Sequence, residues 1–333
     1  MGNSGLKVSE IGLGVMTFGG DIVNNEVATV SQKDADSITS AALDLGINFF
    51  DTADAFSAGV FETVLGKAPG NLRKDAVVAT KVRFAMSNKP NDTGLSRFHL
   101  IKSCEDSLRR LGTDFIDLYQ IHSYDQGTPL EETLRALDHL VQSGKVRYIG
   151  CSNLTAWQTM KALAISEKLN LEKLVTTQLY YSIGARDIEQ ELVPLCIDQQ
   201  LGILCWSPLS GGFFTGKFRK NGDLPSEARR SNQHASSMKF WPVDEEKGFE
   251  IVEQLERIGY NYDKTVAQTA LNWILCRPAI TSVIIGASHI QQLAENAGAT
   301  GWQMTSEDFE YLDNLSKPIA PYPIWHQMYS DKR

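Results

Sequence analysis

The feature that most constrains the fold of this chain is a regular alternation of short apolar runs with longer segments of helical periodicity. Eight runs rich in β-branched and aromatic residues each indicate a strand, at 10–18, 47–52, 76–82, 115–123, 146–153, 174–182, 202–210 and 281–287. Between them, apolar residues recur every three or four positions, which is typical of helices that pack one face on a core. Eight such units in succession predict an α/β protein built as a closed (β/α)₈ TIM barrel.

Two helix starts carry additional local signals. Ser31 is placed to cap the helix that follows the first strand. The segment Thr128-Pro129-Leu130-Glu131 offers a cap residue, a proline at the first helical position and a carboxylate that could close a capping box. Both predict helices that cross from one strand to the next.

An open doubly wound sheet could also be built from such units. No GxGxxG follows the first strand, however, and polar residues cluster at the ends of many strands, which favours the barrel. The 333 residues contain no Pro/Gly/Ser linker, so one domain is expected over 1–333. The stretch 211–243 is too long for a plain βα connection and predicts a functional or mobile loop.

Composition excludes several classes of partner. The net charge of -8 and the lack of a lysine and arginine block argue against general nucleic-acid binding, although a dinucleotide would need only a local basic pocket. The five cysteines show no CxxC spacing, which favours reduced thiols over a disulfide framework or a metal site. No apolar run approaches the length of a membrane span. We therefore expect a cytoplasmic protein with a small-molecule partner, and the sequence leaves its oligomeric state open.

Polar residues stand at the C-terminal ends of the predicted strands. They are Asp51, Lys81, His122, Ser152, Asn153, Gln178, Trp206, Ser207, Gly286 and Ser288. In a barrel these residues would converge on one mouth. A lysine inside an apolar run needs a partner, and Asp51 is the natural one. The pair could merely tie strands together, but His122 at the same mouth favours a catalytic site.

Several motifs in the chain carry a family resemblance. They are Asp51-Thr52-Ala53-Asp54-Ala55-Phe56 with Gly59, Glu62 and Leu65-Gly66; Ala79-Thr80-Lys81; 117–122 (DLYQIH); 144–153 (GKVRYIGCSN); 206–209 (WSPL); and 285–287 (IGA). In this order and nearly end to end, they resemble the aldo-keto reductase family. Residues 2–14 look like the family's N-terminal hairpin entered a few residues late, as expected of a trimmed start. Segments 210–218 and 286–296 are similar to the branch with bacterial NADP-dependent reductases and the β subunits of voltage-gated potassium channels.

The resemblance implies an NADP-dependent oxidoreductase that interconverts aldehydes or ketones and alcohols. A hydride moves between the nicotinamide and a carbonyl carbon, while a tyrosine hydroxyl gives or takes the proton. By matching position, Lys81 would lower the pKa of that hydroxyl and Asp51 would pair with Lys81. His122 would hydrogen-bond the carbonyl oxygen.

The position of the catalytic tyrosine is occupied by Phe56, which keeps the ring and lacks the acid. Three interpretations are open: a substitution introduced to trap a complex, a natural relative that has dropped reduction, or a natural enzyme that uses another donor such as water or Tyr181. Retention of Lys81 and the other residues that serve the missing hydroxyl favours the first. In each case general acid catalysis worth roughly 10²- to 10⁴-fold should be missing.

The resemblance also implies a set of cofactor-binding residues for NADP (NADPH). Trp206 would stack on the nicotinamide. The remaining positions are Ser152, Asn153 and Gln178 for the carboxamide; Ser207, Leu209, Gly211, Lys217, Arg230, Ser288 and Gln292 for the phosphates; Glu295 and Asn296 for the adenine; and Gly14, Met16, Asp51 and Gly286 to complete the site. Lys217 and Arg230 could bind a 2′-phosphate, which favours NADP over NAD, although the neighbouring Arg229 leaves the exact arginine open. Alternatively, Trp206 packs in the core and the basic residues are solvated surface charges.

Two other functions compete with the oxidoreductase. Phe56 favours a nicotinamide-binding, redox-sensing regulatory module without significant turnover, as the channel subunits suggest. A barrel lyase or isomerase without nicotinamide is opposed by the 206–209 and 286–288 segments. The substrate stays open, and an apolar wall around the mouth is predicted from Met16, Phe18, Phe84, Phe213, Tyr322, Trp325 and Tyr329.

Overall fold

Eight parallel strands close into a barrel in chain order in the computed structural model, which describes residues 1–23, 27–68, 72–218, 220 and 243–330. The strands are β1 Ile11–Gly14, β2 Phe49–Asp51, β3 Val77–Val82, β4 Ile116–Ile121, β5 Val146–Ser152, β6 Thr176–Tyr180, β7 Gly202–Trp206 and β8 Ile280–Ile285. Strand β1 pairs with both β2 and β8, so the sheet has no free edge. The predicted (β/α)₈ barrel is confirmed as a single closed domain.

Helices surround this barrel. They are α1 Gln32–Asp44, α2 Val60–Gly66, α3 Leu72–Asp75, α4 Arg97–Leu111, α5 Leu130–Gln142, α6 Ala156–Leu169, α7 Leu192–Asp198, α8 Glu245–Asn261, α9 Val266–Leu275, α10 Ile290–Ala297, α11 Ser306–Ser316 and α12 Ile324–Ser330. Short 3₁₀ turns lie at Phe56–Gly59, Asp187–Glu189 and Ser210–Thr215. The main core lies between the strands and the helices.

Every predicted strand is present, and most are shorter than the apolar run that predicted them. The run 202–210 shows why, because β7 stops at Trp206 and Ser207 adopts a left-handed conformation with φ 51°. That turn redirects the chain into the Ser210–Thr215 segment. Apolar residues after a strand end therefore belong to the loop at the mouth.

The two predicted helix starts had different outcomes. Ser31 caps α1, since its hydroxyl accepts a hydrogen bond from the Asp34 N–H, as predicted. The capping box at 128–131 was wrong: Pro129 occupies the cap position and forms no side-chain cap bond. The Thr128 hydroxyl instead donates to the Asp125 carboxylate at 2.7 Å, so it organises the preceding loop.

Inside the barrel, the character of the side chains changes from apolar to polar along each strand. An apolar cluster fills the lower part with Phe49, Val77, Ala79, Leu118, Leu204 and Ile284. Two residues further along β2, β3 and β4, on the same face, lie Asp51, Lys81 and Gln120. The polar residues therefore form a layer directly beneath the mouth.

The N-terminal segment differs from the expected hairpin. Residues 1–10 form no strand, and Met1, Leu6 and Val8 pack against the apolar cluster at the lower end of the barrel. Burial of these apolar side chains favours a lid over the bottom of the barrel.

Three further predictions from the sequence concern the cysteines, a membrane span and the long loop. All five cysteines are free thiols, and Cys276 alone among them is partly exposed. None of the helices in the described ranges has the length and apolar character to cross a membrane. Of the predicted loop 211–243, residue 219 and residues 221–242 lie outside the described residues.

Candidate active site

A buried ion pair between Lys81 and Asp51 lies at the centre of the mouth. Lys81 Nζ donates to Asp51 Oδ2 at 2.6 Å and to the Thr52 carbonyl oxygen at 2.8 Å. The side chains of the pair are 1% and 7% exposed. An ammonium has three donors, so one N–H of Lys81 is left after these two bonds.

The second oxygen of Asp51 is held by amides. Gln178 on β6 donates from Nε2 to Asp51 Oδ1 at 2.8 Å, and Gln120 on β4 approaches the same oxygen at 3.5 Å. Both glutamines are nearly inaccessible to solvent. Three strands thus fix the Asp51 carboxylate, and Asp51 in turn fixes Lys81.

The ring of Phe56 lies next to the ammonium group of Lys81. The Lys81 ammonium is 5.6 Å from the centre of the ring, within the range of a cation–π contact. Phe56 begins the 3₁₀ turn Phe56–Gly59, in which Ser57, Ala58 and Gly59 all have positive φ values of 47°, 52° and 88°. Lys81 therefore faces an aromatic ring where a ring hydroxyl could accept its free N–H.

His122 stands next to both groups. It directly follows β4, and its imidazole meets the rings of Phe56 and Phe84 edge-on, with centroids 5.6 and 4.7 Å away. Burial, followed by the positive charges of Lys81 and Arg83, lowers the pKa of His122 to about 3. The imidazole is therefore neutral near pH 7, and its buried Nδ1 has no hydrogen-bond partner among the described residues.

The predicted carboxamide-binding residues meet at the ends of β5, β6 and β7. Ser152 is 1% exposed, and its hydroxyl has no hydrogen-bond partner within the described part of the chain. Asn153 donates from Nδ2 to the His122 carbonyl oxygen and accepts at Oδ1 from Trp206 Nε1, at 3.0 and 3.1 Å. Trp206 is half-buried against the ring of Tyr180, with centroids 5.0 Å apart, so it is not simply core packing.

The predicted phosphate-binding residues lie on two loops, after β7 and after β8. Ser207 Oγ accepts from the Gly211 N–H at 3.3 Å, and the Ser288 N–H donates to the side chain of Gln292 at 2.9 Å, at the start of α10. The remaining positions are Leu209, which packs on the core; Lys217, Gly286 and Glu295, which are exposed; and Asn296, which is 5% exposed. Arg229 and Arg230 lie outside the described residues.

Strand β1 supplies Gly14 and Met16. A Cβ at Gly14 would lie 2.9 Å from Ile284 Cγ2, so the close approach of β1 and β8 requires glycine there. Met16 is 39% exposed just beyond the strand. Both are at the mouth, as their position in the sequence predicts.

The predicted apolar wall is only partly formed. Phe84 contacts His122, but Phe18 and Phe213 are 0% and 2% exposed and pack in the core, so that part of the prediction was wrong. The other members, Tyr322, Trp325 and Tyr329, are exposed on the C-terminal segment. Long aromatic side chains of a loop commonly turn inward when a helix packs over them, as α8 does over Phe213 through Phe249.

Tyr181 does not lie where it could replace the missing hydroxyl. Its oxygen donates to Glu189 at 2.5 Å and accepts from Arg277 Nε at 3.1 Å. Burial and the Glu189 charge raise the pKa of Tyr181. Its ring packs near Trp273 of α9, so the side chain belongs to the layer outside the barrel.

A second polar group lies beneath the Phe56 turn. The buried Glu62 carboxylate accepts from Thr80 Oγ1 and Arg110 Nε, each at 2.6 Å. Asp54 is 0% exposed, and burial, followed by the Glu62 charge, raises its pKa to about 7. A Cβ on Gly59 would overlap the side chain of Arg110, so the turn rests directly on this group.

The sequence reasoning missed three residues at this mouth: Gln120, Tyr180 and Arg83. Gln120 lies two residues before His122 and Arg83 two residues after Lys81, so the two-residue period of a strand was the available signal. Tyr180 lies two residues after Gln178 on β6 in the same way. Within the described ranges, no cluster of three His, Cys, Asp or Glu side chains could hold a metal ion.

The closed barrel with polar side chains converging at the strand ends defines a (β/α)₈ enzyme architecture. Residues 10–317 match the model of the aldo/keto reductase family. The chain belongs to this family, whose members related to it include oxidoreductases, and the resemblance stated from its motifs is confirmed.

Three relatives illustrate the range of the family. The chain is 37% identical over 326 residues to "Uncharacterized oxidoreductase YrpG" of Bacillus subtilis, covering 95% of this chain and 94% of the relative. It is 37% identical to "Putative voltage-gated potassium channel subunit beta" of Schizosaccharomyces pombe, covering 96% and 90%. It is 30% identical to "Versiconal hemiacetal acetate reductase" of Aspergillus parasiticus, covering 97% and 98%. The relatives named as an oxidoreductase and as a reductase support a general oxidoreductase function.

Proposed function

We propose that this chain is an NADP-dependent oxidoreductase that interconverts aldehydes or ketones and alcohols, and that Phe56 impairs it. The observation that carries the proposal is the buried Lys81–Asp51 pair, set against His122 and the ring of Phe56. Burying two charges is costly, and a structural tie between strands would not need a neutral histidine and a ring beside it.

The residues at the mouth fit a nicotinamide cofactor. The buried Ser152 hydroxyl, without a described partner, could bond a carboxamide, and the half-buried Trp206 could stack on its ring. Ser207, Ser288 and Gln292 would receive phosphate groups near the start of α10, and the exposed Lys217 would receive a 2′-phosphate. When bound, the nicotinamide supplies or accepts a hydride.

The other side chains would prepare the carbonyl group. Neutral His122 has one N–H and can donate it to a carbonyl oxygen, which fixes the approach of the substrate. Lys81, held by Asp51, places a positive charge where an alkoxide or phenolate would develop. Phe56 has no proton to give, so reduction in this chain would depend on water.

The first experiment is a titration with NADPH and with NADH, followed by tryptophan fluorescence. We expect tighter binding of NADPH. Carbonyl turnover is then compared between this chain and Phe56→Tyr, in which the new hydroxyl would accept the free N–H of Lys81. An increase of roughly 10²- to 10⁴-fold is expected.

Phe98→Tyr is the matched control, because it makes the same change of ring on the exposed face of α4, where Phe98 is 63% exposed. It should leave turnover within about twofold of the starting chain, since an unactivated phenol contributes little acid catalysis. Equal gains in both variants would contradict the role of Lys81. Failure to bind either nucleotide would remove the proposal altogether.

A redox-sensing regulatory module is the second candidate function. Phe56 favours it, and three relatives are named as putative or probable voltage-gated potassium channel β subunits. Such a module would bind NADPH and show no turnover across a broad carbonyl panel, in this chain or in Phe56→Tyr. The free cysteines fit a reducing compartment, and we propose the cytoplasm for either function.

A further inference from the structure

Arg83 lies at the mouth and forms no ion pair with a carboxylate of the described residues. It follows the last residue of β3, two positions after Lys81, and its guanidinium lies 5.3 Å from the centre of the Phe84 ring. Its Nε is buried and has no hydrogen-bond acceptor among the described residues. A half-buried guanidinium with an unused donor favours an anion that comes from outside the chain.

The acids near Arg83 already have other partners. Asp125 accepts from the N–H groups of Leu95 and Gly127 and from the Thr128 hydroxyl, at 2.8, 2.9 and 2.7 Å. Asp51 is paired with Lys81. Asp125 keeps its negative charge, and the charge of Arg83 helps to lower the pKa of Asp125, but the Arg83 Nε donor is left without an acceptor among the described residues.

Arg83 and His122 border the same part of the mouth. Phe84, the residue after Arg83, lies with its ring 4.7 Å from the imidazole of His122. The charge of Arg83 also contributes to the lowered pKa of His122, in agreement with this placement. A carbonyl oxygen at His122 would thus lie on the same side of the mouth as the guanidinium, and the rings of Phe56 and Phe84 both contact the imidazole.

We propose that Arg83 binds a carboxylate of the substrate, so that the substrates are short aldehydes or ketones that carry a carboxylate. The planar fork of a guanidinium matches a carboxylate through two parallel hydrogen bonds. The phenylalanine rings would contact the apolar carbons between the carboxylate and the carbonyl group. This inference rests on the proposed carbonyl chemistry and specifies its substrate class.

The test compares 4-oxobutanoate with its neutral methyl ester in Phe56→Tyr, at saturating NADPH. With Arg83 in place, the acid should have the higher kcat/KM. Arg83→Gln should lower kcat/KM for the acid by roughly 10- to 100-fold, mainly through KM, and change that for the ester by less than about twofold. Arg135→Gln, an exposed arginine on α5, is the control and should change neither.

Three results would overturn the inference: no preference for the acid, equal losses for acid and ester in Arg83→Gln, or weaker NADPH binding in Arg83→Gln, which would assign Arg83 to the cofactor. The comparison of acid and ester decides the question even if Arg83→Gln does not fold, because it uses protein with Arg83 intact. If Phe56→Tyr neither binds NADPH nor reduces either aldehyde, the proposed function fails and this inference fails with it. Reduction of the ester without preference for the acid overturns only the substrate class.

Discussion

The ammonium nitrogen of Lys81 lies 2.6 Å from Oδ2 of Asp51, in a pair whose side chains are 1% and 7% exposed. Asp51→Asn would leave a buried ammonium without a counter-charge and should lower the free energy of unfolding by about 3–5 kcal/mol. The double variant Asp51→Asn/Lys81→Met should lose less than the sum of the single variants. Urea unfolding of all four proteins gives the coupling energy.

The exposed pair Arg135–Glu131 on α5 provides the comparison, because its side chains are 44% and 55% exposed. Arg135→Gln should change the free energy of unfolding by less than about 1 kcal/mol. Additive losses at Asp51 and Lys81 would mean that the two groups do not interact, contrary to the geometry.

The raised pKa of Asp54 predicts that the folded protein loses stability as the pH rises. Burial holds its pKa at about 7 against an ordinary value of 3.8, so between these values the folded state binds more protons than the unfolded state. The contribution is therefore fully present below about pH 4 and is lost as the pH rises through 7. The loss of unfolding free energy at high pH is at most about 4 kcal/mol, because each unit of pKa shift corresponds to about 1.4 kcal/mol.

Asp54→Asn tests this directly, because an amide of the same shape cannot ionise. The Ala55 N–H offsets only part of the burial cost, and Lys81 and Arg110 also favour the charged form. The stability of the variant relative to the parent chain should rise steadily from pH 4 to pH 8 in urea unfolding. A constant difference across that range would show that Asp54 stays ionised in the folded protein.

Gly59 supports the turn that carries Phe56. Its φ is 88°, and a Cβ there would overlap the Arg110 side chain. Gly46 has a similar φ of 78° but open space around it, so Gly46→Ala measures the backbone strain alone, about 1–2 kcal/mol. Gly59→Ala should lose at least about 1 kcal/mol more in thermal or urea unfolding. Equal losses would show that Arg110 moves aside without cost.

The sequence predicted the barrel because each strand carries its own apolar run and each helix its own stripe. The convergence of Asp51, Lys81 and His122 followed from the same topology, since the C-terminal ends of parallel strands meet at one mouth. The capping box at 128–131 failed because Pro129, and not Thr128, takes the cap position of α5, while the Thr128 hydroxyl donates to Asp125 three residues earlier. Local side-chain hydrogen bonds of this kind compete with helix caps.

The Arg83 Nε donor, which has no acceptor among the described residues, was equally hidden from the sequence. Its meaning depends on Asp125 being engaged by three donors, two of them backbone N–H groups. Phe18 and Phe213 were assigned to the mouth from their places in loops, yet both turn into the core. Periodicity determines direction within a strand, but beyond the strand end direction depends on packing between distant segments.

A substitution at Ser152 distinguishes a ligand-binding role of its hydroxyl from a structural one. Its buried hydroxyl has no hydrogen-bond partner among the described residues, so Ser152→Ala should leave the stability unchanged or raise it slightly. If the hydroxyl bonds the cofactor, the same variant should weaken NADPH binding by about 3- to 10-fold in a fluorescence titration. Ser282 on β8 is equally buried, and its hydroxyl likewise lacks a described partner, but it lies deep in the barrel, 3.2 Å from where a Cβ on Gly12 would be. Ser282→Ala should therefore leave the affinity for NADPH unchanged. If Ser152→Ala binds NADPH as tightly as Ser282→Ala does, Ser152 does not bond the cofactor.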